Sequence, residues 1–162
     1  MIRNNFLLLL FLMGWNCLPA QSLTLDSVAV DLATFQKHYV YPSVLRALAM
    51  GDSTFNDLVK DVDLVRILRV DSTFIEEHSS LLSDLNGGLV EEGYEAIGSY
   101  YEKGSKNELF VLERKERIEG FVVSRIEKHS ILIVELIGNL HLSKINDLMK
   151  MDLDNFSILL DQ

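Results

Sequence analysis

The residues able to do chemistry are few, and most stand alone. The densest stretch is Ile75-Glu76-Glu77-His78-Ser79-Ser80, where acids, an imidazole and hydroxyls follow one another. A nucleophile and its base must meet within hydrogen-bonding distance. On a helix, neighbours one and two positions apart point to different sides. Ser79 and His78 therefore form no nucleophile–base pair, and His78 reads as a side chain packed along an apolar stripe. Glu76 with His78 is kept only as an acid–base alternative.

Glu135 is the more informative acid, the lone charge in SILIVELIG at 130–138. An unpaired buried carboxylate is costly or shifts its pKa upward. Glu135 must then face solvent on an open sheet face or pair with an arginine, and Arg114 and Arg125 are the cross-strand candidates. A poised acid in a cleft is the functional alternative.

The four histidines are His38, His78, His129 and His141. A zinc site needs three or four ligands within ~2.0–2.3 Å of the metal. No two of these histidines share the i, i+4 spacing of a helix. His129 and His141 lie at opposite ends of one strand, ~40 Å apart at ~3.3 Å per residue. No phosphate loop, dinucleotide fingerprint, zincin motif, nucleophile elbow or calcium loop is present. No residue is assigned as catalytic, cofactor-binding or metal-ligating. The expectation leans away from an enzyme.

The elements that would position these groups follow a leader. Arg3 precedes the apolar run FLLLLFLMGW at 6–15, and NCLPA ends in the small residue Ala20. A charged start, ~7–15 apolar residues and a small-residue end is the layout of a secretory signal peptide. A run of ten is too short for a membrane span, which needs ~20 apolar residues. Residues 1–20 are expected to be cleaved, 21–150 to form one domain and 151–162 to be a tail. Cys17, the single cysteine, rules out a disulfide framework. Lipidation at Cys17 is disfavoured, because Trp15 and Asn16 precede it where a small residue is usual. The expected destination is periplasmic or extracellular.

The chain has 162 residues, 48% hydrophobic and 24% charged, which excludes intrinsic disorder as its main state. About 142 residues after the leader suffice for one core and not two. The net charge is −9, and the leader removes only Arg3 from the basic side. Nucleic acid and anionic lipid are disfavoured as partners, because both require clustered Lys and Arg.

Val28, Leu32, Phe35 and Tyr39 recur at helical spacing and predict a helix within 27–50. Pro42 opens a second helix through Met50, closed by Gly51. Phe55, Leu58, Val59 and Val62 predict a third over 53–62, capped by Asp52 or Ser53. LVRILRV at 64–70 reads as a strand, apolar on both faces apart from Arg66 and Arg69. Thr73 and Glu76 make a capping box for a helix over 72–86, with Asn86, Gly87 and Gly88 ending it.

From about 94 to 140 four strand-like runs follow, separated by short turns, which makes them an antiparallel meander. ILIVELI is apolar at both parities and is expected to be the most central or most covered strand. SKINDLMK at 143–150 closes the domain as a short helix. The fold class is therefore α+β: a four-stranded antiparallel meander plus one additional strand, with helices packed on one face.

This order of pieces resembles a family of small exported bacterial proteins, mostly from Bacteroidetes, known only as a domain of unknown function. The likeness covers roughly 32–150 and rests on SVLRAL, DLVRIL, GYEAI, the IGNL strand end and SKINDL. It implies export and fold. Loosely, it also implies a role in envelope-response signalling, because members are often encoded near sigma-factor genes. It implies no catalytic residue and no cofactor.

Two functions stand open. The first is a non-enzymatic module that binds an envelope protein through an exposed sheet face or edge. Ile131, Ile133 and Ile137 would supply that face unless Phe156, Ile158, Leu159 and Leu160 cover it, with Tyr94, Tyr100 and Tyr101 adding aromatic area. The second is a small periplasmic ligand binder or hydrolase with an acidic cleft around Glu135.

Overall fold

The computed structural model describes residues 22–30, 35–71, 80–127, 130–149 and 153. The leader, the capping box at Thr73 and Glu76, the EEHSS stretch through Ser79, His129 and the tail beyond Leu153 lie outside the described residues.

The hairpins form because their turns are short and their flanking runs alternate. β3 (Glu95–Glu102), β4 (Ser105–Arg114), β5 (Arg117–Ile126) and β6 (Ser130–His141) make the expected meander. Lys103 and Gly104 link β3 to β4, and Lys115 and Glu116 link β4 to β5, all at positive φ. Two-residue loops of this hand match the twist of the strands they join. β2 (Val62–Asp71) joins the same sheet, antiparallel to β6, with Arg66 opposite Glu135.

The sheet has six strands, not four plus one, in the order β1-β2-β6-β5-β4-β3. The sixth is β1 (Phe35–Val40), which pairs with β2 along the outer edge. The helix expected over this segment is thus corrected: α1 (Leu23–Val30) stops short, and FQKHYV is a strand. Phe35 and Tyr39 are four apart, a spacing that fits one helix face and equally one strand face. Pairing with β2 decides between them, and that pairing is not local.

The first core lies on the sheet face formed by Val65, Ile67, Phe121, Val123, Leu132, Val134 and Leu136. It is covered by α2 (Pro42–Leu48), α3 (Ser53–Val59) and α5 (Ile145–Met149) through Leu45, Leu58, Val59 and Leu148. A 3-10 turn, Leu142–Lys144, leads into α5. Asp52 caps α3, its carboxylate accepting from the N–H of Thr54 and of Phe55 at 2.9 Å each. α3 ends at Val59, earlier than the expected 62, because β2 starts at Val62.

The expectation of helices on one face is also corrected. A second core holds Leu68, Val70, Phe110, Val122, Ile131 and Ile133 against Leu25 of α1 and Leu85 and Leu89 of α4 (Leu81–Glu91). α4 runs through Gly87 and Gly88, which were expected to end it, because Leu89 continues the stripe of Leu85 by one turn. It ends instead at Gly93, with φ +93°. There Gly93 N–H donates to the Val90 carbonyl and Tyr94 N–H to the Leu89 carbonyl. This reciprocal pair is a Schellman cap. Among the described residues, no helix is long and apolar enough to cross a membrane.

A buried charge network as candidate functional site

The sheet register brings the lone acid of β6 to the lone central arginine of β2. Arg66 Nε donates to Glu135 Oε2 at 2.8 Å, and Nη2 lies 2.5 Å from the same oxygen. Both side chains are 0% exposed. They point to the face covered by α1 and α4, in the parity of Ile133 and Leu68.

Every remaining group of the pair is satisfied from elements that cover it. Glu135 Oε1 accepts from the Tyr94 hydroxyl at 3.0 Å and from the Ser22 backbone N–H at 3.1 Å. Arg66 Nη2 donates to the Ser22 carbonyl at 2.9 Å and Nη1 to Asp26 Oδ1 at 2.7 Å. Lys37 Nζ of β1 reaches the same Asp26 oxygen at 2.7 Å and lies 5.1 Å from the Tyr39 ring centroid. A buried ion pair is tolerated only when its remaining lone pairs and protons find partners, and here both carboxylate oxygens and all three guanidinium nitrogens have one.

Tyr94 is placed by the Schellman cap, which turns the chain from α4 into β3. Gly120 on β5 makes the room: a Cβ there would collide with the phenol ring. Burial and the adjacent Glu135 charge push the Tyr94 hydroxyl far above its usual range, so it stays a donor. Burial lifts the Glu135 carboxyl above its usual value, while Arg66 and the Ser22 and Tyr94 hydrogen bonds pull it back. For Asp26 the balance reverses. Burial acts to raise it, but the hydrogen bond from Lys37 and the charges of Arg66 and Lys37 hold it below its usual value.

The expected partners of Glu135 are corrected. Arg114 sits 3.4 Å from Glu119, and Arg125 Nε donates to Asn107 Oδ1 at 3.2 Å. On β5 the residue opposite Glu135 is Val122, and only β2 offers an arginine at its level. The expected open face is corrected as well, since Ile131, Ile133 and Ile137 are all buried. Of the tyrosines, Tyr94 belongs to the core, Tyr100 is half-buried and Tyr101 is exposed.

His38 is half-buried on β1. His141 Nδ1 accepts from the Ser143 N–H at 3.2 Å, capping the turn before α5. Glu76, His78 and His129 fall outside the described residues. Among the described residues, no group of three His, Cys, Asp or Glu could hold a metal ion.

Chemically the network is a sealed clamp. In this conformation Glu135 meets no solvent. The sequence reading missed Ser22, Asp26 and Arg66 as its members. One signal was available: the lone acid of one apolar strand, Glu135, and an arginine, Arg66, in the middle of another.

The family model described as "Domain of unknown function (DUF4252)" matches residues 31–148. No curated protein and no solved structure matches the chain.

Proposed function

Because the chain belongs to this family of domains of unknown function, we propose a reading built on its surface: a non-enzymatic module, exported to the cell envelope, that binds a protein partner along the β1 edge. One observation carries it. Tyr41, Val44 and Leu48 recur along one side of α2 and are 59%, 44% and 45% exposed, and Met50 beyond them is 84% exposed. Leu45, the next residue after Val44 and about 100° further round the helix, is buried in the first core.

This stripe follows directly on β1, whose outer side has no strand neighbour among the described residues. An open edge offers alternating N–H and C=O groups to an incoming extended segment. Apolar side chains of that segment would rest on the α2 stripe. Export rests on the leader, and an envelope-response role rests on the family resemblance.

The test places a photo-crosslinking residue at Leu48 in cells, and at Ile97 on the opposite edge strand as control. A single adduct at Leu48 that is lost in the Val44→Glu variant supports the reading. Equal labelling at both positions, or an adduct indifferent to Val44→Glu, sinks it.

A further inference from the structure

The matched family region begins at residue 31, so α1 lies outside it. The groups that hold α1 all lie inside: Lys37, Arg66, Glu92, Tyr94 and Glu135. We infer that these groups form a peptide-binding site, filled here in cis by residues 22–26, and that its ligand is a helical turn of the form Ser-x-x-Leu-Asp.

The grip is that of a receptor on a ligand. Ser22 is held through its main chain alone by the sheet: its N–H donates to Glu135 and its carbonyl accepts from Arg66. Its hydroxyl accepts from the Leu25 N–H at 3.2 Å, which caps α1. The N–H and the hydroxyl of Thr24 both donate to Glu92 Oε1, at 2.5 and 2.6 Å. The first turn of a helix leaves its N–H groups without internal partners and carries positive partial charge. Two carboxylates, Glu92 and Glu135, meet it.

Side-chain selectivity rests on two positions. Leu25 is completely buried in the second core, and Asp26 is shared by Arg66 and Lys37. Leu23 beside them is 75% exposed. Among the described side chains of α1, those of residues 23–27, one leucine is buried, one acid is shared and the Thr24 hydroxyl is bound, so this stretch is anchored at points. Those anchors remain on the domain if α1 leaves, and they would then present two carboxylates, a guanidinium and an apolar slot.

The experiment uses the full chain with a protease site inserted between Val30 and Phe35. After cleavage, a fluorescent peptide QSLTLDSVAVD (residues 21–31) is added and its anisotropy followed. The nicked protein should take up the peptide. The same peptide carrying Leu25→Asp should bind at least ~10-fold more weakly, the scale expected for one buried leucine. The uncut protein should bind far less, since its own segment competes at high effective concentration. Uptake that ignores Leu25→Asp overturns the site. So does a nicked protein that unfolds, which would make α1 an integral part of the core.

A second arm leaves the chain uncut and carries Leu25→Asp in the protein. It should keep its sheet-rich circular dichroism and take up the wild-type peptide in trans. A folded variant that takes up none overturns the inference, as does loss of fold.

Discussion

The two faces of the sheet are covered by different means. On one, α2, α3 and α5 lay leucine and valine on leucine, valine and phenylalanine. On the other, α4 supplies Leu85 and Leu89, while α1 adds Leu25 among its described side chains and closes over an arginine and a glutamate. The dry face is held by area, which is non-directional and tolerates repacking. The charged face is held by geometry, because each donor and acceptor must find its own partner. The covering helix that depends on hydrogen bonds is also the one the family region omits.

The contrast is broken most forcefully by removing one charge. Arg66→Met leaves the Glu135 carboxylate buried without its cation and should cost about 3–5 kcal/mol in urea unfolding. Adding Glu135→Leu should recover most of that loss, since well-packed apolar pairs replace buried ion pairs at little cost. If the double variant is as unstable as the single one, packing rather than charge governs this face.

On the dry face Leu136→Ala should cost about 2–5 kcal/mol through lost burial and a residual cavity. No second substitution of a charged residue should restore it. Recovery on combining it with the Arg66 and Glu135 changes would show that the two faces are not independent.

The smallest effect is the sharpest. Asp26 is held below its usual 3.8 by Lys37 and Arg66 against the opposing effect of burial. A lowered acid stabilises the fold above its unfolded value and loses that contribution as pH falls through its folded value. The stability gap between wild type and Asp26→Asn should therefore be present at neutral pH and close on acidification below 3.8. Glu135 has the opposite sign: lifted above its usual 4.5, it weakens the fold as pH rises past that value, in both proteins. Urea midpoints across acid pH check this, and a gap that persists to the acid limit removes Asp26 from the anchor.

The meander was legible from local signals alone. Alternating apolar runs and short charged turns name four strands and their antiparallel order. β2 was equally clear, since LVRILRV is β-branched and short. The 35–40 segment was misread because an i, i+4 aromatic pair fits either period, and only an edge beside β2 makes it a strand. The end of α4 was misplaced by five residues because Gly87-Gly88 looks like a stop, whereas the cap that forms uses Gly93. Glu135 was singled out as anomalous, and pairing with an arginine was one of the alternatives for it, beside exposure on an open face. Which arginine depended on register. Arg114 and Arg125 lie nearer in sequence, but the strand beside β6 that carries an arginine at its level lies 69 residues upstream.

Sequence by itself determined the pattern: a leader-like start, acidic balance, four hairpin strands and one strand with no polar face. That last feature already requires cover on both sides, because apolar side chains at both parities cannot all be buried by one layer. Only the tertiary structure decided what provides the cover. The place of β2 beside β6, and its register there, are set by contacts between residues more than fifty positions apart, 69 for Arg66 and Glu135. No local propensity encodes a partner at that distance. The same long-range pairing turned two solitary charges into one buried clamp and seated α1 upon it.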